Sequence, residues 1–114
     1  MKKLIALTLI SLMSSFSFAE PTSASLEPLM GVLTTENGVF IQTHSGGCTS
    51  KDSFIVKKQK EGSVTEVAFW RVQHDPCLAL YFYGTILGYS YEELGLEAGE
   101  NFIVRNPMTF SKVR

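Results

Sequence analysis

The segment LMGVLTTENGVFIQT (residues 29–43) decides the fold class, because two apolar, β-branched runs flank the turn residues Glu-Asn-Gly at 36–38. Asn-Gly between such runs is the strongest short-range signal for a β-hairpin. Successive side chains of a strand point to opposite faces, so one face of the second run carries Val39, Ile41 and Thr43. The sequence therefore predicts a first hairpin that presents this face to a core.

A second hairpin is predicted from residues 54–60 and 64–72, which flank the turn Glu-Gly-Ser at 61–63. The return run has large apolar groups on both faces, with Phe69 on one and Trp70 on the other. A strand that is apolar on both faces is expected at the centre of a sheet.

Residues 77–87 form a third strand-like run, which is nearly all apolar. Its β-branched and aromatic content and Gly84 favour a strand over a helix. The alternation places Leu78, Leu80 and Phe82 on a buried side and Tyr81 and Tyr83 on the opposite side.

The remaining elements are short. Ser90 and Glu93 match a capping box, which predicts one short helix through Leu96, and residues 102–105 predict a last strand. Five to six strands, hairpin connections and one short helix indicate a mostly β fold, a small antiparallel sandwich or barrel. We expect this single domain to cover residues 29–114.

The N-terminus has the pattern of a secretory signal peptide. Two lysines precede an apolar run of about ten residues, and small residues end at Ala19, which predicts a signal peptide at 1–19 with cleavage after Ala19. The polar, Pro-containing residues 20–28 are expected to be a flexible mature N-terminus. No cysteine lies near the cleavage point and no later run suits a membrane span, so the prediction is a periplasmic or secreted protein that is not a lipoprotein and does not insert into the membrane after cleavage.

Composition and charge exclude several classes. The chain is 45% hydrophobic, 18% charged and 11% aromatic, unlike collagen-like, coiled-coil or disordered chains. Cleavage would leave eight basic against 11 acidic residues, a formal charge of −3. The one basic cluster, at residues 57–60, is short and suits a solvated strand edge, so we expect no nucleic-acid partner.

The mature chain has two cysteines, Cys48 and Cys77. An even number in a small exported domain favours a single disulfide. A bridge that closes a loop of about 30 residues is expected to add roughly 3 to 4 kcal/mol of stability in the chain-entropy model.

The two histidines leave an alternative open, because each lies beside a cysteine. His44 precedes Cys48 by four residues and His74 precedes Cys77 by three. Imidazole nitrogens and thiolates are donors that zinc or copper accepts, so a metal site formed by His44 and His74, with or without both cysteines, is the alternative to a protein with no cofactor. A catalytic cysteine or serine lacks the expected surroundings, since no helix N-terminus and no G-x-S-x-G elbow is present.

Three short blocks carry a resemblance: SGGCT at residues 45–49, DPC at 75–77 and EELGL at 92–96. In these blocks the chain resembles small exported bacterial proteins to which no activity is attached. The resemblance implies a small periplasmic or secreted β-domain and no functional residues.

The function we expect is that of a non-catalytic binding module, such as an inhibitor or accessory factor of another exported protein. The polar residues 44–53 have no aliphatic or aromatic side chain to bury, so they should form a surface loop held at its middle by the bridge. The candidate contacts are the loop residues Thr49, Ser50, Lys51 and Asp52 and an aromatic patch of Phe69, Arg71, Tyr81 and Tyr83.

Overall fold

The computed structural model describes residues 24–109, in which seven strands form two small sheets. The strands are β1 Ser25–Leu26, β2 Gly31–Thr35, β3 Gly38–Thr43, β4 Phe54–Glu61, β5 Val64–Arg71, β6 Thr85–Ser90 and β7 Phe102–Val104, and a 3-10 helix at Lys51–Ser53 precedes β4. The predicted signal peptide at 1–19 lies outside the described residues.

The first sheet has the order β2-β3-β6 and contains the predicted hairpin. Thr35 pairs with Gly38, so the two-residue turn is formed by Glu36 and Asn37. Gly38 is needed for a different reason, since a Cβ there would collide with the carbonyl oxygen of Tyr89 on β6. The glycine thus allows β3 and β6 to pair closely where β3 begins.

The second sheet is built around β5, as the sequence predicts. β4 pairs antiparallel along one edge of β5. Two short strands share the other edge: β1 is antiparallel to the end of β5, and β7 is parallel to its beginning. All other strand pairs in the two sheets are antiparallel.

The core lies between the two sheets. Val39, Ile41 and Thr43 are fully buried on the inner face of β3, which confirms the predicted face of the first hairpin. Across from them, β5 contributes Val67 and Phe69, and the Phe69 ring lies 5.0 Å from that of Tyr89 between ring centroids. The remaining buried members are Leu29, Leu94 and Leu96. Burial of a large apolar side chain contributes about 1.5–3 kcal/mol, so this layer holds the sheets together.

A buried asparagine fills the gap between β1 and β7 on their shared edge. The Asn106 amide donates to the carbonyls of Glu27 and Phe69, each at 2.8 Å, and its oxygen accepts from the Phe69 amide at 2.9 Å. The side chain therefore supplies the hydrogen bonds that a continuous edge strand would have made.

The predicted fold class is confirmed: the chain is mostly β, with two sheets packed like a sandwich, not closed into a barrel, and one disulfide. Three details differ from the sequence-based expectations.

The first difference is where ordered structure begins. The segment expected to be flexible, residues 20–28, contains β1 and the buried Glu27, so the predicted boundary at Leu29 is too late. β1 pairs with β5, and Glu27 forms an ion pair with Arg71. Both partners lie far along the chain, so local composition cannot show these contacts.

The second difference is the helix predicted from the capping box. Ser90 and Glu93 do form the box: the Ser90 amide donates to the Glu93 carboxylate and the Glu93 amide donates to the Ser90 hydroxyl, at 2.8 and 3.0 Å. The chain then leaves the helical path at Gly95, whose φ is +73°. Residues 91–95 are a hydrogen-bonded turn and not a helix.

The third difference concerns the run at 77–87. Only its last part belongs to a strand, since β6 begins at Thr85. Residues 78–83 lie outside both sheets, and Leu78, Leu80 and Phe82, predicted to be buried, are 93%, 80% and 62% exposed. Periodicity shows that a segment can pair, but it does not show whether a neighbouring strand is there to receive it.

Candidate functional site

The Cys48–Cys77 disulfide is formed, as predicted, with a Cα–Cα distance of 5.7 Å. It joins residues 44–50, which we call the bridge loop, to the segment that follows Asp75. The Ala79 amide also donates to the Gly46 carbonyl at 2.8 Å, so a main-chain hydrogen bond holds the two segments together beside the bridge. A stable disulfide is compatible with an oxidising compartment outside the cytoplasm.

The carboxylate of Asp75 organises the bridge loop. It accepts hydrogen bonds from the amides of Gly46, Cys48 and Cys77 at 2.8, 3.2 and 2.9 Å and from the Thr49 hydroxyl at 2.6 Å. The Thr49 hydroxyl, followed by these amides, holds the pKa of Asp75 well below its usual range. The carboxylate therefore stays ionised at neutral pH and fixes the loop backbone around it.

Arg71 ties the same loop to the sheet. Its guanidinium makes two parallel hydrogen bonds of 2.9 Å to the carboxylate of Glu27, and the two side chains are only 16% and 6% exposed. It also donates to the Thr49 hydroxyl at 3.2 Å and to the His44 carbonyl at 3.1 Å. All these contacts are internal, so Arg71 serves to position the loop and not as the predicted surface contact.

The 3-10 helix at the end of the bridge loop is also held in place. The Ser50 hydroxyl caps the 3-10 helix by accepting from the Asp52 amide. The Lys51 ammonium lies 2.7 Å from the Glu93 carboxylate and 4.7 Å from the centre of the Tyr89 ring. Ser50 and Asp52 remain exposed, so this short helix presents polar side chains from a fixed backbone.

The predicted aromatic patch is not formed. Phe69 is fully buried in the core, whereas Tyr81 and Tyr83 are 52% and 77% exposed on the segment after the bridge. The prediction grouped these residues because alternation places Phe69 and Arg71 on one face of β5, but that face is the inner one.

Residues 78–83, which we call the apolar segment, form the unexpected feature of this region. The Gly84 amide donates to the Tyr81 carbonyl at 3.0 Å, which closes a turn with Phe82 and Tyr83 at its corners. The Gln42 side chain donates to the Tyr83 carbonyl at 2.6 Å and fixes this turn to the outer face of β3. The segment is thus anchored at the bridge and at Gln42, with large apolar side chains exposed between them.

The four predicted metal ligands lie in one region of the structure, but they do not form a single set of metal-binding atoms. Sulfur atoms of Cys48 and Cys77 and an oxygen of Asp75 lie within 4.8 Å of one another. The sulfurs are bonded to each other and offer no thiolate, and the Asp75 oxygens already accept hydrogen bonds. The bridge as it stands therefore does not fit a thiolate site, while the exposed His44 and His74 line an open cleft beside Asp75.

Sequence reasoning missed the structural roles of two residues in this region, Asp75 and Glu27. Asp75 was noted only within the DPC block, although its carboxylate, whose pKa is low, is the centre of the bridge loop. Glu27 fell in a segment expected to be flexible. The Asp-Pro signal was available for the first, but nothing local indicates the second.

A scan against protein-family models and searches of curated proteins and of solved structures find no match for this chain. No helix within residues 24–109 combines the length and apolarity that crossing a membrane requires.

Proposed function

We propose that this protein is an exported, non-catalytic binding module that contacts another exported protein through the bridge loop and the 3-10 helix. The contact residues are Thr49, Ser50, Lys51 and Asp52, together with Tyr81. The observation that carries this proposal is the fixed backbone of the exposed polar loop, which is held by the disulfide, Asp75 and Arg71.

Pre-ordering is what makes such a loop suitable for binding. Association otherwise costs about 0.5–1.5 kcal/mol for each side chain that has to be immobilised. Here Thr49 is already held by Asp75 and Lys51 by Glu93, while Ser50 and Asp52 are exposed, with the Ser50 hydroxyl fixed by its capping bond to the Asp52 amide.

Tyr81 gives the polar loop an aromatic neighbour. A Cβ placed on Gly47 would lie 4.0 Å from the Tyr81 hydroxyl, so the ring stands beside the bridge loop. The Tyr81 side chain is half exposed, and tyrosine is one of the residue types enriched at interface hot spots.

Export and location form part of the proposal. The disulfide and the predicted signal peptide at residues 1–19 both support a periplasmic or secreted mature protein, and no cysteine lies near Ala19 to carry a lipid anchor. The net acidic mature chain supports a protein partner over a nucleic acid.

Metal handling by His44 and His74 is the alternative function. The two imidazoles border the same cleft as Asp75, and zinc and copper both accept imidazole nitrogen. This alternative predicts that the histidines, and not residues 50–52, determine activity.

The test uses the oxidised mature protein as bait against the exported proteome. The variant Ser50→Ala/Lys51→Ala/Asp52→Ala is compared with the matched surface variant Gln59→Ala/Lys60→Ala/Glu61→Ala, whose three side chains are exposed on β4. We expect a protein bound by the wild type to be retained by the β4 variant and lost by the loop variant. Equal retention by both variants would contradict the proposal.

A second arm addresses the metal alternative. Zinc and copper are titrated calorimetrically into the wild type and into His44→Ala/His74→Ala. Submicromolar metal binding that disappears in the histidine variant, with no partner lost in the loop variant, would replace our proposal by the alternative.

A further inference from the structure

One edge of the first sheet is open among residues 24–109. Within that range β6 pairs only with β3, and its register places Ile41 opposite Leu87 and Gln42 opposite Ile86. The Gln42 carbonyl accepts from the Met30 amide on the β2 side, so the main-chain groups of Gln42 point away from β6. Hydrogen-bonding direction alternates along a strand, and therefore the amides and carbonyls of Ile86 and Gly88 point outward, away from β3.

Within the described residues, these outward groups of Ile86 and Gly88 have no hydrogen-bond partner. At the end of β6 the situation differs, because the Ser90 amide donates to Glu93 and the Ser90 carbonyl accepts from Leu94. The open stretch thus offers two donors and two acceptors in the middle of the strand.

The edge of β6 has none of the usual protection against strand pairing. Natural edge strands are kept apart by charges, especially lysine, by proline or by bulges. The free edge of the other sheet follows this rule, since β4 carries Lys57, Lys58 and Lys60. β6 contains no charge and no proline, and residues 76–91 as a whole contain no charged side chain.

The sheet face beside this edge is apolar. Leu33, Phe40 and Ile86 lie on the outer face of the β2-β3-β6 sheet and are 61%, 40% and 65% exposed. The Phe40 ring covers Gly88, where a Cβ would come within 2.7 Å of the ring. β2 and β3 add no charge to this face.

The apolar segment extends the same surface, because Gln42 binds the Tyr83 carbonyl beside it. Apart from Tyr81, which lies beside the bridge loop, seven large apolar side chains of the sheet face and the segment are 40% or more exposed: Leu33, Phe40, Leu78, Leu80, Phe82, Tyr83 and Ile86. A free side chain of this size has roughly 200 Å² of accessible surface, so with their exposed fractions these side chains together expose on the order of 1,000 Å². Monomers rarely show a patch above about 600 Å², and a larger one marks an interaction site.

We propose that the uncharged β6 edge beside this face binds a second copy of the chain, with β6 pairing antiparallel to β6 of that copy. The two-fold axis passes at Leu87, so that Ile86 of each copy exchanges its amide and carbonyl hydrogen bonds with Gly88 of the other. The pairing joins the two three-stranded sheets into one sheet of six strands and brings the apolar faces of the two copies side by side.

A second copy fits better than a different protein because of charge. Two identical surfaces meet without repulsion only if they are neutral or self-complementary, and this face is neutral over β2, β3 and residues 76–91. A charged partner would find no counter-charge on it. This inference is independent of the binding function proposed for the bridge loop, whose contact residues take no part in the β6 pairing.

The test is the oligomeric state of the oxidised mature protein, measured by sedimentation velocity over a dilution series. Ile86→Lys places a charge beside the axis in each copy, and Ile103→Lys makes the same change on β7, where Ile103 is 50% exposed. We expect a concentration-dependent dimer for the wild type and Ile103→Lys. For Ile86→Lys the dimer dissociation constant should rise by at least about tenfold, since like charges at an interface are strongly unfavourable.

Hydrogen exchange locates the contact. The Ile86 and Gly88 amides should become protected at concentrations that favour the dimer and exchange freely on dilution. A monomer at every concentration, a dimer that tolerates Ile86→Lys, or protection at Val32 and Thr34 on the edge of β2 instead, would each overturn the proposal. The loop variant at residues 50–52 should dimerise like the wild type, so the two proposals fail separately.

Discussion

At the scale of single residues, the Asp75 carboxylate holds the bridge loop in place. One carboxylate accepts three backbone amides and the Thr49 hydroxyl, and these donors favour its ionised form. A neutral amide in its place would accept fewer hydrogen bonds and would lack the charge that strengthens them.

The pH dependence of this group has a definite sign. The folded-state pKa of Asp75 is depressed, so its stabilising contribution is fully present above the ordinary aspartate pKa of about 3.9 and is lost as pH falls toward the folded value. We expect Asp75→Asn to lower the melting temperature by a constant amount between neutral pH and about pH 5, and by progressively less under more acidic conditions. Thermal melts of both proteins across this range measure the difference, and a gap that widens on acidification would contradict the assignment.

The ion pair between Glu27 and Arg71 gives a second prediction. Glu27→Ala leaves the largely buried guanidinium without its counter-charge, and we expect the free energy of unfolding to fall by about 2–4 kcal/mol. Glu66→Ala is the matched control, since its pair with Arg105 is solvent-exposed on the Arg105 side at 58%. The control should lose about 1 kcal/mol or less in the same denaturant titration. Equal losses would show that burial of the Glu27 pair does not matter.

The residues of the site were predictable only in part. Cys48 and Cys77 followed from their number and the export signal, and the exposure of residues 44–50 followed from their polarity. Phe69 was misplaced because a strand pattern does not say which of its two faces meets the other sheet. Glu27 and Arg71 pair across 44 positions of sequence, and no local pattern encodes such a contact.

At the scale of elements, the disulfide is the strongest brace between two segments that belong to no strand. The cysteines are 29 positions apart, and in the chain-entropy model a closed loop of that length contributes about 3–4 kcal/mol.

We therefore expect Cys48→Ala/Cys77→Ala to lower the free energy of unfolding by about 3–4 kcal/mol while the folded chain keeps its strand content. Denaturant titration gives the first quantity and far-ultraviolet circular dichroism the second. Unchanged stability, or both thiols found free in the native protein, would refute the bracing role.

Strands were predicted best where the pairing is local. Both hairpins are correct because their turns and alternating faces lie within one stretch of chain. The predictions for β1 and for the apolar segment were wrong for opposite reasons. Pairing with the distant β5 orders β1, whereas residues 78–83 are apolar but have no neighbouring strand among the residues that the structure describes. The capping box at Ser90 was correct, yet the positive φ of Gly95 stops the helix that it would begin.

At the scale of the whole molecule, the two sides of the chain differ in chemistry. The bridge loop is polar and internally hydrogen-bonded, whereas the face formed by β2, β3, β6 and the apolar segment is uncharged. This division allows one protein to present a loop to a partner and a separate surface to a second copy.

Export is a prediction that rests on residues 1–19. Protein recovered from the extracytoplasmic fraction should have the intact mass of residues 20–114 less two hydrogens for the disulfide. A species that retains residues 1–19 would contradict the predicted cleavage after Ala19.

The central claim is that the bridge loop is ordered before any partner binds, and amide hydrogen exchange on the isolated oxidised protein tests it most directly. Core amides of β3 and β5 should open only on global unfolding, and those of Gly46, Cys48 and Ala79 should also be protected because each is hydrogen-bonded in the folded loop. In Cys48→Ala/Cys77→Ala, at a temperature where the core stays protected, we predict that the Gly46 and Ala79 amides exchange much faster. Rapid exchange of these amides already in the oxidised wild type would contradict the account.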